Sequence, residues 1–557
     1  MADSNGGSLL QGLVADIRSG NLTLPTIVIT FIIASAVTLP LLSKVLTPNI
    51  DSREPPVIKP SIPFIGHIIG IIRYQSHYHR IIHNANPSRP IATLPMLNGK
   101  MYSIYDPNLI QTALRSKTVS LTPFATDFAQ KTFGLDDELT AKVKADGVFS
   151  TFVEVMHASF AAGMVQKMNV HFLANISAKM DPISCGAVRV NEVNAGKEEV
   201  IPEGLEVENL YLWIRDVMTL GTTKALYGDH DPFGPNPSLV DEIWAFEEAI
   251  PYFLLSLLPS ITMPKAFKAR AKLQTLLSEY YAAEHDINDP TTSQLVLNRA
   301  NTLRKYGFTG SEIGKLEVIL PNVATLNAVP TLYWLLLYVL VRPELMERVR
   351  KEVEAATLIA ETDDGKRTVT FDIADFDTKI PLLVSCYRET MRLSNHSVSM
   401  RRVMEDLTIT SPNGQSYLLQ KGIDIQLPAG VTHRDKTVWG QDANEFDPER
   451  FLPPGSKDKT TESVDIDRRR RATYIPFGGG RHLCPGRNFA IAEILGFTSV
   501  LLLGFEIEPV GMRFDDMKML PPTLATGAVR PEKYGKGLGG RMVRRKGWEN
   551  VEWKFEC

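Results

Sequence analysis

The sequence predicts a mainly helical domain with small β-sheets, preceded by a single membrane-crossing helix. Three observations predict it. Residues 21–43 run for 23 positions without a charge, between Arg18 and Lys44. Helical patterning dominates 109–180, 311–356 and 381–393, whereas short apolar runs broken by Pro and Gly at 67–105 suggest strands and a few helical turns. A glycine-rich loop, Phe477-Gly478-Gly479-Gly480-Arg481-His482-Leu483-Cys484-Pro485-Gly486, leads into an apolar helix starting near Arg487.

Composition sets the outer limits. The chain has 557 residues, 44% of them hydrophobic, so a large core can form. A formal net charge of −3 gives no electrostatic basis for nucleic-acid binding. The four cysteines, Cys185, Cys386, Cys484 and Cys557, are too few and too scattered for a disulfide framework. Reduced thiols in contact with the cytosol fit best.

The elements follow in order. Residues 1–21 form a short tail and 22–46 the anchor. As a helix, 21–43 reaches about 34 Å, enough for a hydrocarbon layer of about 30 Å. Pro25 and Pro40 disturb only its edges. A cleaved signal peptide is the competing reading, but the apolar run is long and no small-residue cleavage site follows. Lys44, Arg53 and Lys59 follow the span against Arg18 before it, which leaves the body of the protein cytosolic. Residues 47–66 carry Pro55, Pro56, Pro60 and Pro63 and predict a stiff, extended hinge. Residues 67–557 are the main domain. Within it, 134–147 reads as an exposed connection. The apolar stretch 250–264 is fenced by Pro251, Pro259 and Pro264 and followed by Lys265, Lys268 and Arg270. It reads equally as a buried loop or as a segment that dips into lipid. In the helical stretch 311–356, Ser311 and Gly314 make a poor capping box, and Pro330 removes one helical bond and predicts a kink.

Chemistry points to the glycine loop. A thiolate is a soft ligand suited to iron. Loop amides and the following helix N-terminus favour the ionised form of Cys484. Gly478, Gly479 and Gly480 open conformations closed to other residues and allow close approach to a flat ligand. Cys386, inside a helical stretch, reads as a small buried thiol. The pattern Phe-x-x-Gly-x-x-x-Cys-x-Gly resembles the haem-binding loop of the cytochrome P-450 family. That resemblance implies the family's fold and a haem b group with Cys484 as its axial iron ligand. Phe477, Gly480, His482 and Gly486 would then form the cofactor-binding loop, and Arg401 and His482 would meet haem propionates.

Further motifs extend the resemblance. Glu389-Thr390-Met391-Arg392 lies 92 residues before Cys484, with Phe446-Asp447-Pro448-Glu449-Arg450-Phe451 between them. This resembles the family's buried network of Glu389, Arg392 and Arg450. Val323 to Pro330 matches the helix that crosses the haem face. Leu326 and Asn327 stand where most members carry an acid and an alcohol for proton delivery, so the resemblance implies that Asn327 takes the catalytic position. The same Asn-x-x-Pro arrangement occurs in the cholesterol 7α-hydroxylase and prostacyclin synthase branch. The family usually has a Trp and an Arg for a haem propionate in 109–180; no Trp is present there, so no haem contact is assigned from that region. Arg468 to Arg471, just before the loop, read as a docking patch for an acidic electron donor.

Together the resemblance implies a membrane-anchored monooxygenase, single-pass in the endoplasmic reticulum with its catalytic domain cytosolic. Its style is that of fungal secondary metabolism. NADPH–cytochrome P-450 reductase, with cytochrome b5 as a second candidate donor, would supply electrons from NADPH. The substrate would be a lipophilic sterol, terpenoid or polyketide. Two alternatives stay open at this point: a haem-thiolate isomerase or dehydratase that rearranges a peroxide without a reductase, and a non-catalytic haem carrier or sensor.

Overall fold

The computed structural model describes residues 49–557 except 61–64, 97–98, 181–197, 202–203, 257, 362–365, 454–460 and 523–526. The expected anchor at 22–46 lies outside the described residues. Helices carry most of the described chain, and the sheets are small, with five, four, three and two strands.

Local chemistry explains where the helices start and stop. Helix α1 (Ile68–Tyr74) is short and leaves Ile69 and Ile72 exposed. Helix α2 (Pro107–Arg115) starts at Asp106, whose carboxylate accepts from the Asn108 and Leu109 N–H groups. Helix α3 (Thr122–Phe133) stops at Gly134, which takes a left-handed conformation. The connection expected at 134–147 instead holds helix α4 (Asp137–Lys144). Asp136 caps it, acidic residues fill its first turn and Lys142 and Lys144 its last, so caps and charges rather than apolar periodicity define it. Helix α5 (Leu239–Leu255) accommodates Pro251 near its end.

The long helical stretch is divided by its prolines. Helix α6 (Gly310–Glu317) begins with a capping box built by Thr309 and Glu312, two residues ahead of the pair expected at Ser311 and Gly314. Helix α7 (Ile319–Thr325) and helix α8 (Ala328–Leu340) follow. Pro321 has no N–H for the Glu317 carbonyl, and the first break falls at Val318. Pro330 has none for the Leu326 carbonyl, and the second falls at Leu326 and Asn327. Pro330 shows itself as an interruption of the helix at Leu326 and Asn327, four residues upstream at the carbonyl it cannot bond.

Helix α9 (Pro381–Ser394) and helix α10 (Thr461–Thr473) precede the glycine loop, and helix α11 (Arg487–Gly504) follows it. Gly310–Leu340 and Arg487–Gly504 are long and apolar enough to cross a membrane, yet their apolar windows are 67% and 72% buried inside the domain. A helix that is apolar all round belongs in a large core as readily as in a bilayer. Here Trp334, Leu335, Leu336, Phe497 and Leu501 pack into the main hydrophobic cluster.

The largest sheet contains β1 (Ile91–Met96), β2 (Gly99–Ile104), β3 (Val119–Ser120), β4 (Val398–Val403) and β5 (Asp424–Pro428), in the order β1-β2-β5-β4-β3. Its register sets Arg401 of β4 opposite Ile425 of β5. The described residues of the proline-rich hinge run along its edge. Ile58 N–H donates to the Thr93 carbonyl and Thr93 N–H to the Pro56 carbonyl. Buried Glu54 accepts from Lys100 at 2.7 Å and from the Tyr102 hydroxyl at 2.8 Å.

Candidate active site

A cavity of about 740 Å³ lies between the glycine loop, α3, the α7–α8 break and β4. Its floor is the loop. Gly478 and Gly480 take left-handed conformations, with φ +70° and +63°. A Cβ on Gly480 would sit 1.9 Å from the Leu114 carbonyl oxygen, so this glycine lets the loop press against α2. Gly479 is extended, and a Cβ there would meet the Leu114 side chain at 2.8 Å. At Gly479 and Gly480 the close approach is thus to α2, where the sequence had suggested a flat ligand. The Cys484 N–H donates to the Phe477 carbonyl at 3.1 Å, which folds the loop back so that Cys484, Phe477 and Gly486 all face the cavity.

The electrostatics of the floor are mixed. Burial raises the Cys484 thiol above its ordinary range, against the Gly486 and Arg487 N–H groups, which favour the thiolate. The amide effect expected from the sequence is present but outweighed. Binding a metal ion would reverse that balance, because a coordinating thiol is deprotonated. His482 is held below its ordinary pKa by burial and by Arg401 and Arg481. Its Nε2 accepts from the Leu121 N–H at 3.4 Å, leaving Nδ1 as the donor.

Arg401 is only 4% exposed and lines the same cavity. Nη1 donates to the Ser399 hydroxyl at 3.1 Å and the Met400 carbonyl at 2.7 Å, but among the described residues no carboxylate faces the guanidinium. Burial without a counter-charge pulls it down to about 10. A buried arginine in this state is a site for an incoming anion.

Opposite the floor, Val323 and Asn327 line the cavity one helical turn apart. Leu326, expected beside Asn327 in the reactive position, is buried and is not part of the lining. Asn327 does not present a free carboxamide: its Oδ1 accepts from the Gly527 N–H at 3.0 Å and the Ala528 N–H at 2.9 Å. Phe124 and Phe128 of α3 line another side. Neither was singled out from the sequence, which has no local mark of a residue whose partner is hundreds of positions away.

The structural network behind the floor brings Glu389, Arg392 and Arg450 together. Glu389 accepts twice from Arg392 at 2.7 Å and from Arg450 Nε at 3.0 Å, with all three side chains buried. Arg392 also donates to the His433 and Ala443 carbonyls, and Arg450 to the Trp439 carbonyl.

Comparison with known proteins decides the family. The cytochrome P-450 family model matches residues 245–535. A cytochrome P-450 monooxygenase of Gibberella zeae is 37% identical over 528 residues, covering 94% of this chain and 95% of its own. The chain belongs to the cytochrome P-450 family. The cytochrome P-450 monooxygenase nodJ of Hypoxylon pulicicidum is 26% identical over 91% of this chain and 93% of its own. The 25-hydroxycholesterol 7-alpha-hydroxylase of Rattus norvegicus is 30% identical over 50% of this chain and 67% of its own. Among solved structures, retinoic acid bound cyanobacterial CYP120A1 superimposes with a TM-score of 0.62 at 16% identity, covering 89% of this chain and 100% of that one, a likeness of fold.

The protein is therefore a haem-dependent monooxygenase of this fold, and the family's haem b and NADPH-derived electrons, delivered through a reductase, belong to it. The residues present fit the group. Among the described residues no cluster of three or more His, Cys, Asp or Glu could hold a bare metal ion. Iron that brings its own porphyrin nitrogens needs one protein ligand, and the floor offers one thiol beside an uncompensated buried arginine.

Proposed function

We propose that this chain is a membrane-anchored cytochrome P-450 monooxygenase that inserts one atom of O2 into a lipophilic small molecule of sterol, terpenoid or polyketide type in secondary metabolism. One observation carries the assignment of the site: a cavity of about 740 Å³ has the Cys484 thiol in its floor and the unpaired guanidinium of Arg401 at its edge. Cys484 Sγ would be the protein's ligand to the haem iron. Arg401 and the Nδ1–H of His482 would hold the propionates. Bound haem supplies oxygen activation, and the protein supplies orientation and exclusion of water. The apolar lining from Phe124, Phe128, Val323 and Leu254 suits a hydrocarbon skeleton. Asn327 Nδ2, the carboxamide atom with no hydrogen bond to the described residues, can hold a water for proton delivery.

Anchoring in the endoplasmic reticulum through 22–46 is part of the same proposal. It is supported by the apolar surface of Tyr252, Leu258 and Ile261, with Leu258 59% and Ile261 72% exposed, followed in the chain by Lys265 and Lys268. Gln75, just after α1, lines one cleft with Tyr252 and Lys265, so the exposed Ile69 and Ile72 stand close to this patch. An apolar patch with a basic border suits a lipid interface. The electron donors proposed are NADPH–cytochrome P-450 reductase and cytochrome b5.

The test is spectroscopic. Dithionite-reduced protein under carbon monoxide should give the red-shifted Soret band of thiolate ligation, and Cys484→Ser should lose that band. Retention of the band and of turnover in Cys484→Ser would remove the assignment.

A further inference from the structure

A strip of backbone, residues 527–530, packs against lining residues of the haem cavity and borders an outward cleft of about 470 Å³. Val529 and Arg530 line the cleft, with Tyr252, Met263 and Tyr534. Asn327 and Asn395, which meet the strip from the other side, line the haem cavity. The strip is held along its length. His396 N–H donates to the Gly527 carbonyl at 2.6 Å, Trp334 Nε1 to the Val529 carbonyl at 2.6 Å, and Val529 N–H to the Ser394 carbonyl at 2.9 Å. Arg530 pairs with Glu247 and Glu248 of α5 and lies 4.7 Å over the Trp244 ring.

The N–H groups of Gly527 and Ala528 share one acceptor. Asn327 Oδ1 accepts from them at 3.0 and 2.9 Å. Asn327 is in reach because the helix is broken there, at the carbonyl that Pro330 leaves unpaired. Contact is close: a Cβ on Gly527 would lie 3.0 Å from Asn327 Oδ1 and 3.1 Å from Asn395 Nδ2, so both side chains would have to give by a few tenths of an ångström.

We propose that Asn327 is a positioning residue whose carboxamide oxygen fixes the 527–530 strip directly behind the lining of the substrate cavity, so that it determines which molecules fit over the haem. An oxygen that already accepts twice has no role left in a proton relay, and only Nδ2 remains for a water. The inference rests on reading the cavity as the haem site. Leucine at 327 keeps the volume but strands two N–H groups, and the strip then moves. Aspartate keeps an acceptor in place. Alanine at 527 crowds the same contact from the strip's side.

The experiment uses full-length, haem-loaded protein and two azoles, imidazole as a small probe and clotrimazole as a bulky one, titrated by their difference spectra. Exchange of the 527 and 528 amides is followed by mass spectrometry. In Asn327→Leu and Gly527→Ala, the ratio of the two Kd values should shift in the same direction by about tenfold, the effect of losing two ordinary hydrogen bonds, and both amides should exchange faster. Asn327→Asp should stay within about twofold of the parent ratio on the same scale. The double variant Asn327→Leu/Gly527→Ala should be no worse than the stronger single change, since both act on one contact. An unchanged ratio in both single variants, or Asn327→Asp behaving like Asn327→Leu, overturns the proposal. Absence of the thiolate–carbon monoxide band in the parent protein would instead overturn the haem-site reading itself.

Discussion

At the scale of single residues, the loop was readable because its parts are contiguous. Gly480 shows why the spacing is rigid: its positive φ and the Leu114 carbonyl 1.9 Å from a built Cβ leave no room for a methyl group. Gly480→Ala should push the loop off α2 and lower the fraction of protein that retains haem, with a loss of stability of at least about 1–3 kcal/mol. Haem content per purified chain and the thermal midpoint check this, and a fully loaded variant of parental stability would contradict it. Arg401 was assigned by resemblance, but its value to an anion, burial without a carboxylate, is a property of neighbours that the sequence does not list side by side. His433 was not marked at all. It is fully buried with Nε2 accepting from the Ile475 N–H, and burial, with Arg392 and Arg434 nearby, depresses it to about 3. A folded pKa below the unfolded value means stability that is present above about pH 6.5 and lost as pH falls toward the folded pKa. The stability difference between parent and His433→Gln should therefore shrink by about 1.4 kcal/mol per pH unit below pH 6. Comparing the two proteins cancels groups of opposite sign, such as buried Glu493, whose carboxyl is raised. Parallel pH profiles would contradict the assignment.

At the scale of elements, prolines and caps decided more than apolar periodicity. Pro330 was read as a kink, and the break it makes gives Asn327 a position from which its side chain reaches another segment. Which segment could not be read, because Gly527 lies 200 residues away. Helix α4 was missed because its signal is Asp136 and a charge gradient rather than an apolar stripe. The Glu389–Arg392 pair illustrates the opposite case. A spacing of three residues on a helix is usually an exposed pair of little value. Here α9 is buried, and Glu389 is the only carboxylate bonding Arg392 among the described residues while also bonding Arg450. Removing it strands the buried Arg392, while Arg450 keeps Asp442 at 2.7 Å. Glu389→Ala should cost about 3–5 kcal/mol, whereas Arg388→Ala one residue away, at an exposed position, should change stability by less than about 0.5 kcal/mol. Denaturant midpoints compare the two, and similar small losses would show that the network carries no such weight.

At the scale of the whole molecule, charge is arranged locally on a chain whose formal net charge is only −3. Arg388, Arg468, Arg471 and Arg481 are exposed, and none forms a salt bridge among the described residues. The sequence presented Arg468 to Arg471 as one run, and α10 divides it. Arg470 is partly buried, 5.8 Å over the Trp439 ring, and Arg469 donates to the Thr437 hydroxyl at 3.2 Å. Arg468, Arg469 and Arg471 are therefore the solvent-facing charges, Arg469 with its one hydrogen bond to Thr437, while Arg470 also supports the fold. This separates two effects that reversal of the whole run would mix. Exposed cations act on an acidic donor through long-range attraction, screened over about 10 Å at 0.1 M ionic strength. Arg468→Glu/Arg471→Glu should slow reduction of the haem by the reductase several-fold at low salt, converge on the parent rate at high salt, and leave the thermal midpoint unchanged. Arg470→Glu should lower the thermal midpoint, because it breaks the packing on Trp439. Stopped-flow reduction across a salt series, paired with thermal melts, resolves the two. Equal reduction rates for the double variant and the parent at every salt concentration would remove Arg468 and Arg471 from the docking surface.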